Sequence, residues 1–212
     1  MTVLSNVALF DQASRQELED LALSCYPKRL AKGQVLFSTG EPSEHLFVVV
    51  TGRVKVLVSS ERGETLVLAV VGPGEALGEL SVLDGHARSA GAEALDDVEL
   101  LCVPAEALRR LLERSSAVCL AVAEELAGRL RHLTGSAADL VFLDLPRRLA
   151  KLLVSREEQV EMPQAEVAAL LGVTRSSLNR SLSGFQRRGW VEVTRGRVEV
   201  LDRTAMVRFA ES

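Results

Sequence analysis

Cysteine is scarce in this chain and scattered. Cys25, Cys102 and Cys119 include no CxxC pair, so free core thiols are expected rather than a disulfide framework. An iron–sulfur centre needs about four thiolates, which argues against one here. The only histidines, His45, His86 and His132, stand in no metal-ligand spacing, and no metal site is predicted. Long apolar runs are missing too. Nothing approaches the roughly 20 residues of a membrane-spanning helix, so no membrane partner is expected. The stretch Met1–Phe10 lacks the basic segment that opens a secretory signal, which predicts a cytoplasmic protein. A basic excess is also lacking: 25 Lys+Arg stand against 29 Asp+Glu, a net charge of −4. Taken over the whole chain, that balance argues against nucleic acid.

The distribution of charge argues the other way. Residues 145–212 hold 12 basic and 8 acidic side chains, whereas residues 1–144 hold 13 and 21. A local positive excess at one end is the footprint expected of a nucleic-acid-binding domain.

Within that basic end lies Gln164-Ala-Glu-Val-Ala-Ala-Leu-Leu-Gly-Val-Thr-Arg-Ser-Ser-Leu-Asn-Arg-Ser-Leu182. Its periodicity predicts two short helices around a tight turn. Val167, Leu170 and Leu171 share one side of the first helix. Gly172 falls where a left-handed backbone is needed, and Val173 plugs the turn. Thr174 is placed to cap the second helix, whose Leu178 and Leu182 point inward at i, i+4. Arg175, Ser176, Ser177, Asn179 and Arg180 are left on the outer face. This is a helix-turn-helix layout, in which the second helix enters the DNA major groove; a helical hairpin with a polar face is the plainer alternative. The alternation of Val191, Val193, Val198 and Val200 then predicts a hairpin turning at Arg195-Gly196. A winged helix-turn-helix results. Arg187, Arg188, Arg195 and Arg197 suit backbone phosphates, which position a protein without reading sequence.

The first hundred residues read differently. A short helix, Arg15 to Ser24 capped by Ser14, precedes β-rich segments at 34–37, 46–50, 52–58, 65–71 and 98–103. Frequent glycines separate them, the pattern of a sandwich or jelly roll. Inside this roll stands Gly78-Glu79-Leu80-Ser81, followed by Arg88-Ser89-Ala90. Glycine lets a ligand approach the backbone. Leu80, Val82 and Leu83 are expected to bury a short helix whose N-terminal amides favour an anion. Arg88 can fork onto a phosphate, Ser89 can donate to it, and Glu79 can accept from a sugar hydroxyl. A surface Glu–Arg pair in a loop is the plainer alternative.

From about Ser116 to Leu140 the period is helical. Cys119, Ala123, Leu126, Leu130, Leu133, Ala137 and Leu140 alternate in spacings of 4 and 3, a heptad seam suited to a two-stranded coiled coil. Dimerisation fits, because two-fold DNA readers place two recognition helices about one DNA turn apart, roughly 34 Å. Gly128 and Gly135 are expected to interrupt the helix. Asp139 to Asp144 leads to Leu145-Pro146, a natural boundary, with Pro146 in the first turn of a helix running from Arg147 to Val154. The organisation expected is a sensing roll over 1–115, a dimer helix and hinge over 116–144, and a DNA-binding domain over 145–212.

An enzyme is the competing class, since a jelly roll can be a cupin. Cupin chemistry needs clustered histidines with a carboxylate, and no nucleophile–base pair or phosphate-cradling loop is visible either. A nucleotide-binding module that recruits a protein is a third class, against which the basic C-terminal part argues.

Roll, long helix and winged helix-turn-helix, in this order, resemble the cAMP receptor protein/FNR (Crp/Fnr) family of bacterial transcription regulators over nearly the full chain. The cassette at 78–81 with 88–90, the segment Asp139-Leu-Val-Phe-Leu-Asp144 and the helix-turn-helix at 164–182 carry the resemblance. It implies an α+β chain and no enzyme: a β-roll bound by a cyclic nucleotide, with cAMP first and cGMP, cyclic di-GMP or no ligand as alternatives. Beyond that effector no cofactor is required. In cyclic-nucleotide-binding members the cassette Glu meets the ribose 2′-hydroxyl while Arg and Ser hold the phosphate; here these are Glu79, Arg88 and Ser89. Val56, Leu68 and Leu77 would line the pocket, Arg129 would sit close to Glu79, and Leu133 and Thr134 would face the base. The cassette is one residue shorter between Glu79 and Arg88 than in the cAMP receptor, and Leu133 and Thr134 replace a threonine and a serine, which bears on adenine recognition. The DNA-reading positions fall on Arg175, Ser176 and Arg180, with Arg180 expected to pair with guanine. Ser176 stands where the cAMP receptor carries a glutamate, so a different half-site is expected. Double-stranded DNA and a second copy of the chain are the implied partners, and RNA polymerase stays open as a further one.

Overall fold

Short apolar strands separated by glycine turns build the N-terminal part of the computed structural model, which describes residues 3–61, 65–155, 159–160, 164–194 and 197–211. Two single turns of 3-10 helix, Leu4–Asn6 and Ala8–Phe10, lead into α1 (Arg15–Ala22). Ser14 and Glu17 close a reciprocal capping box at its start, which satisfies two otherwise orphaned amides. Eight strands follow: β1 (Tyr26–Leu30), β2 (Val35–Phe37), β3 (His45–Thr51), β4 (Val54–Ser59), β5 (Thr65–Val71), β6 (Ala76–Leu77), β7 (Gly91–Ala94) and β8 (Val98–Pro104). They form two four-stranded sheets, ordered β1-β8-β3-β6 and β2-β7-β4-β5. The roll expected from the glycine-punctuated strands is therefore present.

Its core lies between the sheets. Phe47, Val49, Leu77, Leu100 and Cys102 meet Phe37, Val54, Ala92 and Ala94 there. The opposite face of the first sheet, with Leu46, Val48 and Val103, packs on the N-terminal turns and on α3 (Ala105–Arg114). This explains why β3 reads as an unbroken apolar run: it is covered on both faces. Strands β1, β6 and β7 and helix α3 add to the elements expected from the sequence.

Helix α2 (Glu79–Asp84) sits between β6 and β7, and α4 (Ser116–Phe142) follows α3. The expected interruption of α4 at Gly128 and Gly135 does not occur; the helix is continuous over 27 residues. A glycine costs only about 1 kcal/mol in a helix interior, which the surrounding good helix formers absorb. α4 buries Val118, Ala121 and Val122 in its first turns.

The second part begins with α5 (Leu145–Ser155), which starts two residues earlier than expected. The Asp144 carboxylate accepts from the Arg147 amide at 3.0 Å and fixes this start, with Pro146 in the first turn. α6 (Gln164–Leu170) and α7 (Arg175–Arg187) form the helical pair. β10 (Val191–Thr194) and β11 (Arg197–Val200) pair antiparallel, and β9 (Gln159–Val160) adds a third strand beside β11. The turn expected at Arg195-Gly196 lies outside the described residues. An unforeseen C-terminal helix, α8 (Arg203–Glu211), packs on α5. Phe185, Trp190 and Phe209 lock α7, the start of the wing and α8 together, with ring centroids 5.5–5.8 Å apart.

The chain divides into two compact units, Met1–Val58 with Leu68–Arg131 and Ser59–Val67 with His132–Ser212. All three cysteines are free, but only Cys102 is a buried core thiol; Cys25 is half-buried. Cys119 is exposed, contrary to expectation: Val118, Ala121 and Val122 take the inward face of α4, and the Cys119 thiol donates to the Leu112 carbonyl at 3.1 Å. Among the described residues, no helix is long and apolar enough to cross a membrane, and no group of His, Cys, Asp and Glu could hold a metal ion.

Candidate effector and DNA-binding sites

The cassette begins where β6 ends. Gly78 takes φ +82° at the entry to α2, a left-handed conformation that a side chain resists. A Cβ at this position would also run into the Arg88 guanidinium. Glycine is thus needed twice over, for backbone and for space.

Glu79 and Arg88 are each only 5% exposed, which rules out the surface Glu–Arg pair. They are not paired with one another. Glu79 Oε1 accepts from Arg129 Nη1 of α4 at 2.8 Å. Arg129 also donates through Nη2 to the Ala76 carbonyl at 2.9 Å and through Nε to Glu125 at 3.0 Å. Desolvation lowers the Arg129 pKa, and the carboxylates of Glu79 and Glu125 outweigh it, so the guanidinium is held charged. The proximity of Arg129 to Glu79 that the family resemblance implied is therefore present.

Arg88 lies over the ring of Phe37, with its guanidinium carbon 4.2 Å from the centroid, and beside Phe47 at 5.5 Å. It donates to the Gly78 carbonyl at 2.7 Å and to the His45 carbonyl at 2.6 Å. Its Nε is buried and has no hydrogen-bond partner among the described residues. Burial lowers its pKa, against the opposing charges of Glu79 and Glu41. An incompletely satisfied buried cation is the arrangement that gains most from an arriving anion.

Around the cassette, Ser81 and Ala90 are buried and Ser89 is exposed. Leu80 was expected to bury α2, yet it is 45% exposed; Val82, fully buried, does that alone, with Leu83 half-buried. The reason is helical phase, since α2 is a six-residue helix that turns one narrow face inward. Arg109 of α3 holds its far end, donating twice to the Val82 carbonyl at 3.2 and 3.0 Å. Of the expected pocket lining, Leu77 is buried, Val56 half-buried and Leu68 exposed. Leu133 and Thr134 are exposed on α4. Phe37, Phe47 and Arg109 escape a sequence reading because only the pairing of distant strands and helices reveals them, whereas Glu125 carries a local signal, four residues before Arg129 on α4.

The helix-turn-helix follows its pattern closely. Gly172 takes φ +63°. Val167, Leu171, Leu178 and Leu182 are buried, and Leu170 and Val173 half-buried. Thr174 caps α7 by accepting from the Ser177 amide at 3.3 Å, and its hydroxyl bonds those of Ser176 and Ser177. Arg175, Ser176 and Arg180 are exposed along α7, and Gln164 opens α6, half-buried. Asn179, expected on the outer face, is half-buried, with Oδ1 enclosed and without a hydrogen-bond partner among the described residues. Arg188 lies 4.8 Å over the Trp190 ring and 5.5 Å from Phe209, so its guanidinium is braced against the aromatic cluster. Arg148 braces the turn from α5 by donating to the Leu171 carbonyl at 3.0 Å. Arg195 lies outside the described residues.

Along α4, Cys119, Ala123, Leu130, Leu133, Ala137 and Leu140 are exposed, and Leu126 packs partly on its own core. Leu130 is 65% and Phe142 78% exposed. Side chains of this size stay in water only at a cost of roughly 25 cal/mol per Å².

Comparison with known proteins agrees with this geometry. Residues 27–115 match the cyclic nucleotide-binding domain and residues 147–209 the Crp-like helix-turn-helix domain. The chain is 33% identical over 208 residues to the cyclic AMP receptor protein of Thermus thermophilus, covering 95% of this chain and 96% of that one. It is 27% identical over 220 residues to a CRP-like cAMP-activated global transcriptional regulator of Mycobacterium tuberculosis, at 98% of both. Among solved structures, the c-di-GMP responsive global regulator CLP of Xanthomonas campestris shares the fold with a TM-score of 0.78 at 23% identity, covering 89% of this chain and 100% of that one. The cyclic-nucleotide-binding roll, long helix and Crp-like helix-turn-helix together place this chain in the Crp/Fnr family of transcription regulators.

Proposed function

We propose that the chain works as a homodimer on two-fold DNA and is controlled by a cyclic nucleotide, cAMP first, bound in the β-roll. Arg88 and Ser89 hold the phosphate, and Glu79 accepts from the ribose 2′-hydroxyl. Gly78, Leu80, Ser81, Ala90, Val56, Leu68 and Leu77 shape the surroundings, and Leu133 and Thr134 meet the base. Arg180 reads a guanine, with Thr174, Arg175, Ser176, Ser177, Asn179 and Gln164 beside it. Arg188 and Arg195 approach phosphates. The seam Cys119, Ala123, Leu126, Leu130, Leu133, Ala137 and Leu140 meets its counterpart in a second copy. This division of labour describes a cytoplasmic, non-enzymatic regulator.

One observation carries the reading: Glu79, the sugar acceptor, is ion-paired to Arg129 of the long helix at 2.8 Å. A hydroxyl donating to Glu79 joins a network that already ends on α4. Ligand can then favour one arrangement of the paired helices through its differential affinity for it.

Isothermal titration with cAMP, cGMP and cyclic di-GMP, repeated on Arg88→Ala, tests the site. Binding of one nucleotide that the variant loses is expected. DNA affinity at fixed salt, with and without that nucleotide, tests the coupling. Tight nucleotide binding that leaves DNA affinity unchanged would sink it.

A further inference from the structure

The aromatic shelf under Arg88 has no counterpart in the sequence motif. Phe37 comes from β2 and Phe47 from β3, one from each sheet of the roll. Their rings stack at 5.8 Å with an interplanar angle of 24°. Both are buried, at 8% and 6% exposure. The Arg88 guanidinium lies 4.2 Å from the nearer centroid. Its edges are pinned by the two main-chain carbonyls of Gly78 and His45. It makes no ion pair at 4.0 Å or less with any described carboxylate. Its Nε–H is enclosed and has no hydrogen-bond partner among the described residues. The ring faces therefore do what water would otherwise do: they stabilise a buried positive charge without consuming its remaining donors.

We infer that Phe37 and Phe47 are positioning residues for the effector's anion, a π shelf that keeps the Arg88 guanidinium charged, oriented and open to a phosphate. This rests on the proposed phosphate role of Arg88. A leucine at position 37 preserves apolar bulk but removes the ring face. A tyrosine preserves the face.

The test titrates the full chain, F37L and F37Y with cAMP and with adenosine, which has the same base and ribose but no phosphate. F37L is expected to weaken cAMP binding by about 2- to 30-fold, the range a lost cation–π contact corresponds to. F37Y is expected to stay close to the native protein, and adenosine binding to be the same in all three. Parallel loss of cAMP and adenosine in F37L, or equal losses in F37L and F37Y, would show a packing role and overturn the inference. If the native chain binds no nucleotide, the effector reading fails separately. The shelf is then read on the ligand-free protein from the Arg88 Nε–H resonance during titration with inorganic phosphate. A weaker response in F37L than in the native protein or F37Y supports the shelf, and identical responses, or none in the native protein, overturn it.

Discussion

Replacing Gly78 by alanine should damage stability and ligand binding together, whereas the same change at Gly33 should touch stability alone. The two glycines share φ +82°. Their surroundings differ. A Cβ at Gly33 meets nothing within 4 Å, while a Cβ at Gly78 meets the Arg88 guanidinium. Forcing a non-glycine residue into the left-handed region costs about 1–2 kcal/mol. For a chain of this size that corresponds to a loss of roughly 2–8 °C in Tm. Gly33→Ala should lose this much and bind nucleotide normally. Gly78→Ala bears the same backbone cost and must also displace Arg88. The displaced side chain gives up its bond to the Gly78 carbonyl at 2.7 Å and its seat over Phe37. A hydrogen bond from a charged group contributes about 1.5–3 kcal/mol, so Gly78→Ala should fall beyond Gly33→Ala by an amount of that order. Nucleotide affinity should drop at least tenfold. Thermal unfolding followed by circular dichroism, and calorimetric titration of both variants, make the comparison. Matching behaviour of the two variants in both assays would refute the steric argument.

Three further outcomes are expected. Arg180→Ala should weaken specific DNA binding by about 1–3 kcal/mol and relax preference at one base pair, whereas Arg188→Ala should weaken all sequences alike; binding to a panel of half-site variants separates them, and a uniform loss for Arg180→Ala would make it a phosphate contact. Leu130→Glu places a charge on the exposed seam of α4 and should convert a dimer to a monomer in light scattering, with a folded circular-dichroism spectrum; an unchanged dimer would move the interface elsewhere. In that variant, alkylation at pH 8 should reach exposed Cys119 first, because burial pushes the Cys25 thiol up to about 11 and raises that of Cys102 as well. The Cys25 rate should keep climbing with pH towards 11, and a plateau near pH 9 would contradict its burial.

Much of the molecule is legible in its sequence, for local reasons. Gly172, Thr174, Leu178 and Leu182 define the helix-turn-helix because turn, cap and inward face all lie between positions 172 and 182. The Ser14 cap, the paired strands of the wing and the length of α4 were legible on the same grounds, since period and capping act over a few turns. The cassette announced itself as glycine, glutamate and arginine in one short segment. Local pattern misleads where a partner from elsewhere in the chain decides. Leu80 was expected inside because it is apolar, but the phase of α2 turns it outward. Cys119 was expected in a core, but Val118, Ala121 and Val122 take the inward face of α4 and leave it exposed.

Sequence by itself determined the kind of elements, their order, the charge asymmetry and the chemistry available at the cassette. Tertiary structure alone decided which groups meet. It paired Glu79 with Arg129, fifty residues away, rather than with Arg88 in the same segment. It set Arg88 over Phe37 and Phe47, which come from opposite sheets. It also joined Phe185, Trp190 and Phe209 into one cluster. Local patterns fix backbone conformation through short-range sterics and hydrogen bonds. Contacts between distant segments follow from strand register and helix packing, which no local pattern encodes.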